Sequence, residues 1–342
     1  MVVSRSPVTA GAVRTVRAGG IPLAALVAPV AVVAVTLAGA AHAQTWPTKP
    51  IKAIVPFAAG SATDLVGRAF AAHMSETLGQ PLVIDNRAGA NGMIGADAVA
   101  KAAPDGYTIL IGTNSTNAAL KSLMKKLPYD QDTAFAPVAY LGSVPLIVAV
   151  NPNLPYKTLR ELIDAARANP GKITFASAST SQLVSTEMLA SMAGVKMTNV
   201  PYKSGPNAMT DLMGGQVNMF TADFAVMLPQ VRAGKVRGLA VTSTRRSRVV
   251  PNLPTVNEAL GLKDYELIAY FATFAPAHTP APIVGRLNQA ANAAANNREL
   301  VEKFADIGLE VEPGTPEALG QRTARETVKW AKAIADAKIE PQ

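Results

Sequence analysis

The sequence of 342 residues contains no cysteine, which excludes disulfide bonds and every reaction that needs a thiolate. Histidine is almost as scarce, since only His42, His73 and His278 occur. The three are far apart, His73 within a helical pattern and His278 in a proline-rich loop. A histidine-based metal cluster or a Ser-His-acid triad is therefore not expected. We predict no catalytic residue, no metal site and no enzymatic activity.

Aromatic residues make up 5% of the chain, and they do not interleave with basic residues. The net charge of +8 is less than it first suggests, because Arg5, Arg14 and Arg17 lie in an amino-terminal segment without acids. Removing these three from the 32 basic residues leaves 29 against 24 acidic ones. A nucleic-acid partner is not predicted from so mild an excess.

The common cofactor motifs are also missing. No G-x-S-x-G elbow or Walker A sequence is present, and "GANGMIG" at residues 89–95 is not the dinucleotide fingerprint. No cofactor is predicted.

What the sequence does have at its start is a pattern typical of export. A cationic stretch precedes an apolar run at residues 21–38, and "AHAQ" at 41–44 places small residues before a cleavage point. We predict a cleaved signal peptide at residues 1–43 and a periplasmic mature protein. The alternative is an uncleaved membrane anchor, because a run of about 18 apolar residues nearly spans a bilayer.

Short apolar runs then alternate with longer amphipathic ones, which predicts an α/β fold. Strands separated by helices of this length indicate right-handed crossovers and a parallel sheet covered on both faces. We predict strands at residues 51–57, 81–86, 108–113, 144–150, 173–177, 197–202, 216–223, 236–243 and 265–276. Helices are predicted near residues 64–78, 92–102, 158–169, 181–193, 207–213, 282–295, 298–306 and 316–337.

A proline-rich break after residue 150 suggests that a second α/β unit begins there. The chain would cross between units near residues 144–150 and return near 265–275. We expect lobe 1 to comprise residues 44–145 and 266–342, and lobe 2 to comprise residues 146–265.

The loop "PFAAGSATD" at residues 56–64 follows the first predicted strand and carries few large side chains. Ligands of open parallel sheets bind at the carboxyl ends of strands. Gly60 would allow close backbone approach, and Ser61 or Thr63 would cap a helix whose amino end favours an anion. Asp64 is interpreted as a first-turn helix acid. An ordinary strand-to-helix turn is the competing interpretation for this loop alone.

Three further loops have the same small, hydroxylated texture: "GTNSTNA" at 112–118, "FASASTSQ" at 175–182 and "VPYKSGPNA" at 200–208. Four such loops in two lobes suggest one cleft between the lobes. The predicted ligand-binding residues are Phe57, Ala58, Gly60, Ser61, Ala62, Thr63, Asn114, Ser115, Ser177, Ser179, Thr180, Ser181, Tyr202, Lys203 and Asp223.

From "WPTKPIKAIVPFAAGSATD" onward the chain resembles the Bug proteins, extracytoplasmic solute receptors of tripartite tricarboxylate transporters. Further matching pieces are "DNRAGANGMIGADAVAKAAPDGYTILIGT", "VPYKSGPNAMTDLMGGQVNMF", "RAGKVRGLAVTSTRRS" and "LPTVNEALGL". Their shared order and spacing carry the resemblance.

The resemblance implies a type II periplasmic binding-protein fold, a Venus flytrap of two lobes, each a mixed, mainly parallel sheet flanked by helices. It also implies a monomeric receptor that captures a small organic acid and delivers it to membrane permease subunits. A sensory receptor for a carboxylate that signals to a membrane kinase is one alternative, and an exported hydrolase or isomerase is another. The chain departs from the family pattern at Gly60-Ser61, where two glycines are usual, and in the glycine-free loop at 177–181. We therefore expect a cleft shaped for a different acid.

Overall fold

The computed structural model describes residues 10–15 and 46–341 of the chain. The predicted apolar run at 21–38 and the cleavage site at 41–44 lie outside the described residues, as do Arg5 and Arg17. Residues from Trp46 onward form one compact unit, to which the rest of this description applies.

Nine strands form one continuous sheet in the order β2-β1-β3-β9-β4-β7-β5-β6, and β8 pairs with β4. Strands β1 to β3 are parallel to one another, as are β5, β6 and β7. Strands β4 and β9 run antiparallel to their neighbours, which makes the sheet mixed. The strands are β1 Ile51–Val55, β2 Leu82–Asn86, β3 Thr108–Thr113, β4 Phe135–Val150, β5 Thr174–Ser177, β6 Thr198–Pro201, β7 Met219–Asp223, β8 Arg237–Val241 and β9 Ile268–Pro276.

Helices cover the sheet, and most begin directly after a strand. They are α1 Ala62–Leu78, α2 Met93–Ala100, α3 Leu120–Leu123, α4 Leu159–Ala168, α5 Thr180–Ala193, α6 Gly205–Met213, α7 Phe224–Arg232, α8 Val256–Leu260, α9 Ala281–Ala295, α10 Arg298–Ala305 and α11 Pro316–Asp336. A single 3-10 turn, Ala90–Gly92, precedes α2, and a π-helical turn, Ser115–Ala119, precedes α3.

Local chemistry explains where these helices start and stop. Thr158 and Glu161 form a capping box at the start of α4, each side chain bonding the other's backbone N–H. Helix α1 ends at Gly79, whose φ of 69° is the left-handed conformation that glycine adopts without strain. The helices then bury apolar stripes, and fully buried side chains such as Phe70 contribute about 1.5–3 kcal/mol each.

Strand β4 is longer than the predicted strand at 144–150 and joins the two halves of the sheet. Its first part, Phe135 to Pro145, pairs with β9. Its last part, Leu146 to Val150, pairs with β7 and β8 instead. The prediction missed residues 135–143 because register shifts near Pro137 and Gly142 interrupt the alternating pattern there.

Thr242 lies where the pairing changes and connects β4 to the segment that precedes β9. Its backbone and hydroxyl exchange hydrogen bonds with Leu146, at 3.0 and 2.8 Å, at the switch in β4. The Thr242 carbonyl accepts from the Leu267 N–H at 3.0 Å, and the Thr242 hydroxyl donates to the Leu267 carbonyl at 2.6 Å. Thr242 is fully buried, so these bonds are protected from water.

Three helices were missed by the prediction, each for a different reason. Helix α3 is short and continues a π-helical turn, and α7 contains Pro229, which hides it as a helix. Helix α8 has only five residues, although the Thr255–Glu258 capping box at its start is visible in the sequence. Within the described residues, no helix combines the length and hydropathy that a membrane crossing requires.

Candidate functional site

A crevice of about 540 Å³, including the part open to solvent, lies at the carboxyl ends of β1, β3, β5, β6 and β7. Most of the residues predicted from the sequence meet there. Those that line it are Phe57, Ala58, Ser61, Ala62, Thr63, Asn114, Ser115, Ser179, Ser181, Lys203 and Asp223. Loops that are up to about 170 residues apart in sequence therefore share one cavity wall.

Four predicted residues do not line the crevice, because their side chains are used elsewhere or they face away. Gly60 is exposed and its N–H donates to the Asp64 carboxylate at 2.9 Å. The Ser177 hydroxyl donates to the Asn199 side chain at 2.7 Å. Thr180 is fully buried within the start of α5, and the Tyr202 hydroxyl donates to Asp211 at 2.8 Å.

The first loop is held rigid by Asp64, which the sequence analysis interpreted as a first-turn helix acid. Ser61 caps α1 by accepting from the Asp64 N–H at 3.3 Å. The Asp64 carboxylate accepts from Gly60, Arg68 and Asn86 in return. Burial raises the pKa of Asp64, but these hydrogen bonds outweigh it and leave the pKa below its ordinary value. Asp64 does not line the crevice, so its structural role agrees with that interpretation.

The loop after β5, at residues 175–182, contacts the turn that follows β3 directly. Ser179 caps α5, and its hydroxyl lies 3.2 Å from that of Ser181. The Ser181 N–H donates to the Ser115 hydroxyl oxygen at 3.1 Å, and the two hydroxyls are 3.3 Å apart. This contact closes the crevice floor between segments that follow β3 and β5.

The π-helical turn after β3 supplies further polar atoms. The Asn114 amide nitrogen donates to the Ile268 carbonyl at 2.8 Å, which ties the turn to β9. The Asn114 side-chain oxygen and the Thr113 hydroxyl are buried, and neither has a hydrogen-bond partner within the described part of the chain. Buried polar atoms of this kind usually find a partner in water or a ligand. Single π-helical turns also occur often at functional sites.

Two charged residues line the crevice and differ in their surroundings. Lys203 is exposed at its edge. Asp223 ends β7, is 8% exposed, and has its pKa raised by burial from 3.8 to about 6. The crevice therefore contains a carboxyl group that is close to neutral in mildly acidic solution.

The prediction missed lining residues from three sources: β9, α7 and positions next to predicted residues. Ala269 and Phe271 alternate on β9, and Val226 belongs to α7, which was not predicted. Others adjoin predicted residues, so a wider reading of each loop would have included them: Thr113, Ala178, Gln182, Ser204 and Gly205. The period-two pattern of β9 was the one available signal for its contribution.

Neither His73 nor His278 lines the crevice. Within residues 10–15 and 46–341, no group of three His, Asp or Glu side chains is placed to hold a metal ion. The chemistry present is instead hydroxyls, amides and the amino ends of α1 and α5, which suit hydrogen bonding to an anion.

Comparison with known proteins identifies the family. The family model described as "Tripartite tricarboxylate transporter family receptor" matches residues 66–339. The chain belongs to this receptor family. Its match begins at Val66, immediately after the first crevice loop.

Individual receptors show how far the likeness extends. Protein BugT of Bordetella pertussis (strain Tohama I) is 38% identical over 301 residues, which is 87% of this chain and 92% of BugT. An R. palustris protein solved with adipate is 35% identical, with a TM-score of 0.84 over 87% of this chain and 100% of its own. MatC from Rhodopseudomonas palustris, with bound malate, is 34% identical, with a TM-score of 0.81 over 84% and 100%.

These comparisons confirm both the resemblance drawn from the sequence motifs and the predicted fold class. This family member has the two-lobed α/β architecture of the periplasmic binding proteins that it matches.

Proposed function

We propose that this receptor-family member is a periplasmic, non-enzymatic protein that binds a small organic acid in the crevice. The observation that supports this most strongly is that α1 and α5 both begin at the crevice wall, α1 with Ala62 and Thr63 and α5 at Ser181. Each helix amino end carries a partial positive charge. The first N–H groups of α1 have no intrahelical partner, whereas at α5 the Ser181 N–H already donates to Ser115. Two such ends facing one cavity favour a carboxylate without a paired cation.

The relatives support the ligand class. Adipate and malate, the compounds in two similar structures, are both carboxylates. The crevice of this chain places Asp223 and Phe271 beside the polar loops, so the acid it accepts must fit an apolar face and a buried carboxyl. We infer a small organic acid as the class.

We further propose that the acid is captured between two lobes, residues 44–145 with 266–342 and residues 146–265. The change of pairing within β4 between Pro145 and Leu146 supports this division. The family description supports delivery of the acid to the membrane subunits of a tripartite tricarboxylate transporter. We propose that the receptor acts as a monomer. Export by a cleaved signal peptide at residues 1–43 would place the protein in the periplasm.

The test is calorimetric titration and thermal denaturation with a panel of organic acids that includes adipate and malate. A ligand present at 100 times its Kd should add about 2.7 kcal/mol to the free energy of unfolding. Failure of every acid to bind or stabilise the purified protein would overturn the proposal. Recovery of a chemically altered acid after incubation would contradict the non-enzymatic part.

Two substitutions of Ser61 distinguish the effect of the open crevice space on binding from the effect of the helix cap. Ser61→Trp fills the crevice and should abolish binding of the acid. Ser61→Ala removes the cap and one hydroxyl but leaves the space, so affinity should fall by no more than about tenfold. If Ser61→Trp binds as tightly as the unmodified protein, the first loop is not part of the site.

A further inference from the structure

A second cavity lies on the other side of the π-helical turn and shares no lining residue with the crevice. It has about 730 Å³ of empty volume, including the part open to solvent. The enclosed part of the cavity is about 280 Å³, just below the lower end of the range of small-molecule sites, so it suits a ligand of about one ring. Its wall is formed by the π-turn, β4, β9, the loop before β4 and α11, and includes Asn117, Gln131, Phe135, Phe274, Thr323 and Ala324.

Small residues keep this space open. Gly112 does not line the cavity, but a methyl group there would collide with the Asn117 side-chain oxygen and lie 3.0 Å from the Phe274 ring, so the glycine lets these two wall residues pack on β3. Gly320 and Ala324 present almost no side chain from one face of α11. The space beside α11 therefore depends on the small residues at these two positions.

The wall is aromatic on one side. The rings of Phe135 and Phe274 meet edge to face, with centroids 6.3 Å apart and planes at 63°. Such rings favour contact with another flat apolar or aromatic group.

The polar part of the wall offers a donor. Gln131 is 6% exposed, and its side-chain oxygen accepts from the Lys121 N–H at 2.9 Å. Its amide nitrogen is buried with no hydrogen-bond partner in the described part of the chain. The last torsion of a glutamine is broad, so a small rotation would bring this N–H to an oxygen in the cavity.

The charge of the cavity wall disfavours an anionic ligand. Asp132 is the charged residue in the wall among the described residues, and it is paired with Lys121. An acidic ligand would meet a carboxylate there and no lining cation, so it would be disfavoured.

We propose that this cavity is a second binding site, for a small neutral molecule with a ring-sized apolar body and a carbonyl or hydroxyl oxygen. The ring packs on Phe135 and Phe274, and the oxygen accepts from Gln131. The site is independent of the acid-binding crevice, although Ser115 of the crevice and Asn117 of the second cavity belong to one π-helical turn.

The test uses benzamide as a neutral probe and benzoate as its anionic counterpart, with the full purified protein and ligand-observed NMR. Benzamide should bind saturably with a Kd on the order of 1 mM, and its ring should show contacts to Phe135 and Phe274 protons. Benzoate should show no contacts to these rings. Absence of saturable benzamide binding, or ring contacts elsewhere only, would overturn the proposal.

Three variants locate the site. Ala324→Trp fills the mouth of the cavity and should weaken benzamide binding at least tenfold. Val328→Trp, one turn further along α11, 72% exposed and outside the cavity wall, is the matched control and should leave binding unchanged. Ser61→Trp, which blocks the crevice, should also leave it unchanged. Loss of benzamide binding with Ser61→Trp, or full retention with Ala324→Trp, would refute a separate site.

Discussion

The buried carboxyl of Asp223 makes the stability of this protein depend on pH in a direction opposite to that of most aspartates. Asp223 is the last residue of β7 and the residue before α7, and no side-chain hydrogen bond caps the helix from it. Desolvation raises the pKa of Asp223 to about 6 in the folded protein, against 3.8 for an ordinary aspartate.

The magnitude follows from linkage. Because the folded state holds the proton more tightly, the contribution of Asp223 to stability is fully present below pH 3.8 and is lost as pH rises through about 6. At about 1.36 kcal/mol per pKa unit, the loss amounts to about 3 kcal/mol. Asn at the same position cannot ionise and keeps nearly the same shape.

The assay compares the unmodified protein with Asp223→Asn by urea denaturation between pH 3.5 and pH 7.5, chosen to bracket the two pKa values at about pH 4 and about pH 6. Taking the difference between the two proteins cancels the contributions of the other carboxyls. The variant should gain about 3 kcal/mol relative to the unmodified protein as pH rises across this range. A difference that stays constant with pH would show that Asp223 is not desolvated in the folded protein, and the reasoning would fail.

Two other predictions concern residues that support the first crevice loop and the wall of the second cavity. Asp64→Asn should lower the free energy of unfolding by about 1–3 kcal/mol at neutral pH, since the buried Asp64 carboxylate is the charged acceptor of three hydrogen bonds. Because the pKa of Asp64 is lowered on folding, this loss should shrink as the pH of the denaturation series falls below about 4. Gly112→Ala should destabilise the protein by about 1–3 kcal/mol in thermal denaturation, because the added methyl collides with Asn117. Gly285→Ala, in an exposed helical position with open space, should instead stabilise it by up to about 1 kcal/mol; equal effects of both would contradict the packing argument.

The sequence was sufficient to predict the elements whose pattern is local. The apolar run of β3 and the capped, amphipathic α4 are recognisable without tertiary information, and both occur where they were predicted. The loops after β1, β3 and β5 were found because small and hydroxylated residues are conspicuous after buried strands.

What could not be predicted depends on long-range geometry. The full length of β4 requires its partners on β9, since its own pattern is broken by register shifts. Phe271 lines the crevice because of the face that β9 turns toward it. Tyr202 does not line the crevice, because its hydroxyl donates a hydrogen bond to Asp211. The second cavity has no sequence signature, because its wall combines α11 with β4, β9 and the π-helical turn, which meet only in the folded chain.

The bonds around Thr242 have a consequence for how such a receptor would report what it has captured. Thr242 connects β4 at Leu146 with Leu267, just before β9, where we propose that the chain crosses between the lobes. Segments connected in this way have few free torsions. We therefore expect the two proposed lobes to rotate about one axis, whichever acid is bound. The outer surface that a membrane partner contacts would then be the same for every bound acid. Selectivity among acids would therefore have to be determined when the acid binds.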